Sequence, residues 1–244
     1  MRIIRRTAGL AAIVVAALVA GGATASAQGE HHLRTYRVTL TNLTHGQPLS
    51  PPVAATHEGR GRLFRSGKLA SDGIAAIAQD GNEAPLAASL SADDDVTDVV
   101  DVGTPLTPSG TTVGPFSDSV TFDISARPGD RLSLATMLIC TNDGFTGLAG
   151  GRLPAHGSKT YRLYAYDAGR EMNTEDSTDI VDPCSALGPA PLAGDPNGNL
   201  DGPVENHPAQ PIEPHPGITG VGDLSPAMHG WSGAVAMVTV ERTS

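Results

Sequence analysis

Aromatic residues are scarce in this 244-residue sequence, which contains four Tyr, four Phe and one Trp. So few rings make a thin stacking platform for sugars or bases. Lysine and arginine are also sparse, at 16 against 26 aspartates and glutamates, and they form no patch in the sequence. An acidic surface does not attract nucleic acid or anionic lipid, so we expect neither as a partner.

Common catalytic motifs are absent. Residues 230–233, Gly-Trp-Ser-Gly, have the wrong spacing for a nucleophile elbow. His57-Glu58 is followed by residues 59–61, Gly-Arg-Gly, so it is not a zinc-protease motif. There is no phosphate-binding loop and no dinucleotide fingerprint after a strand. The sequence therefore favours a non-enzymatic protein.

Residues 1–27 have the pattern of a signal peptide. Three arginines precede a short apolar stretch at residues 8–20, and Ala25-Ser26-Ala27 is a small-residue cleavage site. The alternative is an N-terminal membrane anchor, for which the apolar stretch is short. We expect cleavage after Ala27, no stable membrane insertion afterwards, and a mature domain of residues 28–244 outside the cell or in the periplasm. Loss of three arginines changes the formal charge from −10 to −13.

The chain contains two cysteines, Cys140 and Cys184. An even number of cysteines in an exported protein predicts a disulfide, with two buried thiols as the alternative. Closing a loop of this length would stabilise the fold by ~3–4 kcal/mol on the chain-entropy estimate. Two cysteines at this separation are not a zinc signature.

The hydrophobic pattern predicts an all-β, antiparallel β-sandwich with one short helix. We expect strands at residues 36–41, 53–57, 120–124, 132–140 and 234–240. The strand at residues 120–124 and the one that begins at Leu132 are predicted to form a hairpin. A helix is expected within residues 66–79, and residues 185–230 form a long Pro/Gly-rich loop. Because the chain ends in a strand, one domain is expected.

Two apolar runs end in acidic turns. Residues 132–140 lead to Asp143, and Tyr164-Ala165-Tyr166 leads to Asp167, with Glu171 four residues later. One return strand between them places both turns at the same end of the sheet. Three converging carboxylates repel each other unless a cation lies among them, and hard oxygen ligands favour Ca²⁺. The alternative is three solvated turn acids.

Other polar segments are weaker candidates. The acidic run Asp93–Asp101 is expected to be a solvated loop rather than a second metal site. Residues Asp195–Asp201 resemble a calcium loop, but Leu200 occupies the place where the sharp turn needs glycine. Both stay open as sites for a second ion. The histidines in or beside the Pro-rich loop, which are His207, His215 and His229, are expected to be solvated.

Several motifs resemble the spondin (F-spondin N-terminal) domain family in its stand-alone bacterial form. They are residues 141–148, Thr-Asn-Asp-Gly-Phe-x-Gly-Leu; residues 166–171, Tyr-Asp-Ala-Gly-x-Glu; and the segments 41–52, 78–82 and 217–224. The resemblance covers residues from about 36 to the C-terminus. It implies a C2-like sandwich that binds Ca²⁺ through Asp143, Asp167 and Glu171.

The sequence departs from the animal members of that family at two positions. Glu171 replaces an aspartate, and Gly144 replaces a tryptophan. Neither change removes a ligand type. The adhesive modules of the animal proteins are absent, so the resemblance names no specific partner.

These observations predict an exported, non-enzymatic calcium-binding module with an extracellular protein or glycan as partner. The alternative is a secreted glycosidase-like hydrolase that uses Asp143, Asp167 and Glu171, because two carboxylates flanking a bond can cleave glycosides.

Overall fold

The structure is a computed structural model that describes residues 32–59, 63–189, 204–206 and 208–244. The predicted signal peptide, the Asp195–Asp201 loop and His207 lie outside the described residues. Residues 31–244 form one compact unit. Within it the fold is the predicted antiparallel β-sandwich, supplemented by short helices.

The secondary structure follows the chain in this order. The strands are β1 (Arg34–Asn42), β2 (Val53–His57), β3 (Val96–Asp101), β4 (Thr112–Val113), β5 (Phe116–Ser117), β6 (Ser119–Ala126), β7 (Arg131–Met137), β8 (Gly144–Arg152), β9 (Ser158–Leu163), β10 (Ala165–Asp167), β11 (Glu213–Pro214) and β12 (Ala236–Arg242). The helices are α1 (Asp72–Asp80), α2 (Ala84–Ser91), α3 (Pro183–Leu187) and α4 (Pro226–His229), with a 3₁₀ turn at Ser177–Asp179.

Two sheets form the sandwich. One has the order β6-β1-β12-β9, and the other has the order β11-β10-β8-β7-β2-β3. The first and last long strands are neighbours, since Tyr36 of β1 lies opposite Arg242 of β12. All these pairings are antiparallel. The C-terminal strand is therefore built into the sheet, as its alternating sequence predicted.

The six-stranded sheet separates two hydrophobic cores because successive side chains of a strand point to opposite faces. Leu134 of β7 belongs to the cluster shared with Val38 and Val238 of the four-stranded sheet. Its neighbour Ala135 belongs to the cluster that includes Ile74 of α1. The continuous apolar run of β7 thus reflects a strand that is buried on both faces.

Local signals explain where helix α1 begins and ends. The Ser71 side chain caps it by accepting the Ile74 N–H, and Gly81 ends it in the left-handed conformation, with φ of 64°. Gly73, which interrupts the apolar pattern, lies where α2 crosses. A Cβ there would be 2.9 Å from the Leu86 Cα, so glycine permits the close packing of the two helices.

The structure corrects several expectations. The run at 120–124 does not form a hairpin with the next strand, because β6 pairs with β1 and β7 pairs with β2 and β8. Helix α1 begins at Asp72, and α2 was not predicted. The second half of the acidic run forms β3, because Val96, Val99 and Val100 are strand-forming residues. The described part of residues 185–230 contains β11 and α4.

Candidate functional site

The turn between β7 and β8 places Asp143 in the interior. Thr141 fixes this turn, since its hydroxyl donates to the Leu138 carbonyl (2.6 Å) and accepts the Gly144 N–H (2.9 Å). A Cβ at Gly144 would lie 2.4 Å from the Thr141 Oγ1 and 3.1 Å from the His215 Cδ2. Position 144 therefore requires glycine in this chain. The side chain of Asp143 is fully buried.

Strand β10 places Asp167 beside the same turn, because Asp167 pairs with Gly144. Its Oδ1 accepts the Gly169 N–H (2.7 Å), which closes an Asx turn. Its Oδ2 accepts a hydrogen bond from the Asn173 side chain (2.6 Å). Gly169 has φ of 69°, and a Cβ there would be 2.3 Å from the Gln210 carbonyl oxygen. Asp167 is thus held by its own turn next to Asp143.

The surroundings of Asp143 perturb its pKa. Burial raises the pKa of Asp143 to about 7, and the neighbouring negative charge of Asp167 adds to the increase. The backbone N–H groups of Arg170 (2.6 Å) and Glu171 (3.0 Å) donate to the Asp143 Oδ2. These hydrogen bonds lower the pKa and so oppose part of the increase. The Asp143 Oδ1 is buried and accepts no hydrogen bond from the described residues. A cation between the two carboxylates would satisfy this oxygen.

Glu171 adopts a different arrangement from the one predicted. Its backbone donates to Asp143, whereas its side-chain Oε1 accepts a hydrogen bond from the Gln79 Nε2 of α1 (2.8 Å). The residue is almost completely buried, and its carbonyl accepts from the Asn206 side chain (2.7 Å). Over the described ranges, no three acidic, histidine or cysteine residues form a group that could hold a metal. The structure brings two of the three predicted ligands together, and the third ligand stays a prediction.

A polar cleft opens beside these residues, with a volume of about 470 Å³. Three acids line it, Asp167, Glu171 and Glu213, together with amide side chains from Asn173, Asn206 and Gln210. The described residues of its lining include neither a basic nor an aromatic side chain. Such a cleft suits a cation with its water molecules better than a stacked sugar ring.

The predicted disulfide is confirmed and lies beside the acidic turn. Cys140 and Cys184 are bonded, with their Cα atoms 5.0 Å apart. The bond ties α3 to the end of β7. The buried Gln47 side chain adds a second restraint, since it accepts the Cys140 N–H (2.9 Å) and donates to the Cys140 carbonyl (3.1 Å). Sequence reasoning missed Gln47 because its partner is 93 residues away.

Glu175 is a further buried acid near the turn, and sequence reasoning missed it. Its carboxylate accepts hydrogen bonds from the backbone of Thr219 (2.6 Å), Gly220 (2.6 Å) and Val221 (3.1 Å) and from the Thr219 hydroxyl. Burial raises its pKa, but these hydrogen bonds outweigh burial and leave the pKa below its usual value. Its backbone N–H donates to the Asn142 side chain (3.2 Å). Glu175 therefore holds the 219–224 segment next to the acidic turn.

Two histidines of the Pro-rich region are packed rather than solvated, which corrects the expectation for both. The His215 Nδ1 accepts the Gly217 N–H (3.0 Å), and its ring centroid is 5.1 Å from that of Trp231. Burial lowers the pKa of His215, while Asp167 and Glu175 raise it in part. His229 is almost completely buried, and its Nδ1 accepts the Ser225 N–H (3.0 Å). Each of these histidines stands alone in the sequence, so no motif predicted that it is packed.

A serine–histidine pair also occurs, but in the interior. The His57 Nε2 is 2.7 Å from the Ser133 Oγ, and the Ser133 Oγ accepts the Gly150 N–H (2.8 Å). Ser133 is fully buried and His57 is 1% exposed. A substrate cannot reach this hydroxyl, so the pair has a structural role.

No protein-family model matches the chain, and no curated protein matches it. The resemblance to spondin domains therefore remains a prediction that depends on the quoted motifs. Within the part of the chain that the structure describes, no helix is both long and apolar enough to cross a membrane.

Proposed function

We propose that the protein is an exported, non-enzymatic module that binds Ca²⁺ through Asp143, Asp167 and Glu171, and that binds an extracellular protein or glycan. The observation that supports it is the Asp143 Oδ1, a fully buried carboxylate oxygen without a hydrogen-bond donor in the described chain, beside the carboxylate of Asp167. Bound Ca²⁺ would supply the positive charge that lets both carboxylates ionise.

Glu171 fits this proposal as a ligand whose backbone is already in position. Its N–H donates to the same carboxylate that would bind the ion, so the backbone stays in place while the side chain exchanges its contacts, which include the hydrogen bond from Gln79. A flexible oxygen ligand suits Ca²⁺, whose coordination geometry tolerates variation, better than Mg²⁺, which demands a strict octahedron.

The alternative of a carboxylate-dependent glycosidase has less support. The cleft beside Asp167 has no aromatic side chain in its lining. Moreover, Asp143 is fully buried and lies behind Asp167, where it does not contact the cleft. A hydrolysis screen on a panel of polysaccharides tests this alternative, and turnover that disappears in Asp167→Asn would favour it.

The decisive experiment is a thermal melt in chelator and in millimolar calcium. Extracellular calcium modules bind at about 10⁻⁴–10⁻³ M, and tenfold excess over the dissociation constant adds about 1.4 kcal/mol. For a chain of this size the midpoint should rise by about 3–6 °C. Magnesium should raise it less.

Two variants with the same change in charge make the test specific. Asp167→Asn should lose the calcium shift, whereas Asp94→Asn, at an exposed position in the acidic run, should keep it. If Asp167→Asn responds to calcium as the wild type does, the ion binds elsewhere, and the residues 195–201 are examined next. Loss of the shift in Asp94→Asn alone would move the site to the acidic run.

A further inference from the structure

Several arginines gather at the end of the sandwich opposite the acidic turn. Arg131 begins β7 and Arg152 ends β8, whereas Asp143 lies in the turn that joins the other ends of these strands. Arg34 begins β1, and Arg127 lies in the turn before β7. The basic residues, which form no patch in the sequence, do form one in the fold.

These arginines surround a cleft of about 370 Å³. Its lining includes Arg34, Arg127, Arg131, Arg152, Tyr36 and Asp130. Among the described residues that line the cleft the only acid is Asp130, and its Oδ2 already accepts hydrogen bonds from the Thr97 hydroxyl (2.6 Å) and the Arg127 N–H (2.7 Å). The cleft is therefore electropositive although the chain has a formal charge of −10.

Two of the arginines are directly opposed across a strand pair. Arg131 of β7 pairs in register with Arg152 of β8, so both side chains leave the sheet on the same face. Like charges in this position repel each other. The Arg131 Nη1 donates to the Gly150 carbonyl (2.9 Å). Among the described residues, neither these two arginines nor Arg34 and Arg127 form an ion pair with an acid. An anion would relieve this repulsion.

Tyr36 supplies a hydroxyl group to the same cleft. Its side chain lines the cleft and is 2% exposed. The Tyr36 hydroxyl has no hydrogen-bond partner within the described ranges. The hydroxyl oxygen is not among the fully buried polar atoms, so it is accessible from the cleft and can donate to a bound anion.

We propose that this cleft binds a tetrahedral oxyanion, namely a phosphate or sulfate group. Guanidinium groups recognise such groups through paired, charge-assisted hydrogen bonds. The four basic residues that line the cleft within the described chain are all arginines. Because the protein is acidic as a whole, its long-range field repels anions, so binding depends on these local contacts. This proposal does not depend on the calcium site.

The experiment measures binding of sodium phosphate and sodium sulfate by calorimetry and thermal melts, at constant ionic strength and with chloride as the reference anion. A chelator is present throughout, because free calcium would precipitate as calcium phosphate. Arg152→Gln removes an exposed guanidinium from the cleft. The control is Arg162→Gln, an exposed arginine of β9 that lies outside the cleft and changes the charge equally.

Wild type and Arg162→Gln should bind the oxyanions alike, and Arg152→Gln should bind about tenfold or more weakly, the usual effect of losing a hydrogen bond to a charged group. Tyr36→Phe should also bind more weakly. Glucose 6-phosphate and glucose 6-sulfate then distinguish the two sources of the group, and tighter binding of either one supports the proposal. Equal affinities in Arg152→Gln and Arg162→Gln, or no binding of any of the four anions by the wild type, would overturn it.

Discussion

Asp143→Asn should remove the part of the calcium-free protein's pH dependence that comes from this carboxyl. In the native state burial raises the pKa of Asp143 from 3.8 to about 7, with a contribution from Asp167. The native state therefore holds a proton on this carboxyl between about pH 4 and pH 7, where the unfolded chain has released it. The resulting stability is present at low pH and is lost as pH rises through the native pKa.

The size of the effect follows from the difference between the two pKa values. At pH 5 the native carboxyl is about two units below its pKa, which corresponds to roughly 3 kcal/mol of stability. At pH 8 almost all of this stabilisation is lost. For a chain of this size the loss corresponds to about 5–10 °C in the melting midpoint. In Asp143→Asn this contribution is absent.

The amide also suits the position. Its oxygen can accept the N–H groups of Arg170 and Glu171 as the Asp143 Oδ2 does, while its NH₂ group takes the place of the Oδ1 beside Asp167 and donates. At pH 8 in chelator we therefore expect Asp143→Asn to be more stable than the wild type. It should also lose the response to calcium, because a carboxylate ligand is gone.

The assay is a series of melts of both proteins in chelator from pH 5 to pH 8. The comparison between the two proteins is needed because burial lowers the pKa of His215 and of His229, which makes acid destabilise the fold. Subtracting the variant's profile from that of the wild type cancels this contribution. A difference that stays constant across the range would refute the reasoning on Asp143.

Two further predictions concern processing and the disulfide. N-terminal sequencing of protein recovered from outside the cytoplasm should begin at Gln28, and an intact Met1 there would contradict cleavage. Thiol titration of the denatured, unreduced protein should find almost no free thiol, and two titratable thiols per wild-type chain would contradict the bond. Cys184→Ser should lower stability by ~3–4 kcal/mol on the chain-entropy estimate.

The sequence predicted the features that depend on local pattern. Strand-forming runs that end in Asp143 and Asp167 implied that the two acids lie at one end of a sheet, and the register of β8 with β10 agrees. The intervening chain is less regular than predicted. After β8 it enters the four-stranded sheet as β9 and returns at Ala165, where β10 begins.

Features that depend on distant contacts could not be predicted in this way. Gln79, whose amide binds the Glu171 side chain, lies 92 residues away on a helix of another layer. The cleft formed by Arg34, Arg131 and Arg152 combines the starts of β1 and β7 with the end of β8. Counting basic residues along the chain gives no indication of that patch, since only the sheet topology brings them together.

The surroundings of Asp143 argue against a solvated turn acid. A solvated carboxylate needs no support, whereas this one is enclosed by a turn that is fixed from three directions. Thr141 closes the turn, the Cys140–Cys184 bond ties its base to α3, and Gln47 binds both backbone groups of Cys140. The fold therefore keeps a carboxyl buried beside a second acid, at an electrostatic cost that its raised pKa expresses. Such an electrostatic cost is common at functional sites, because the binding of a ligand can offset it. A cation that binds both acids removes the cost, and a rigid turn loses little entropy when the cation binds.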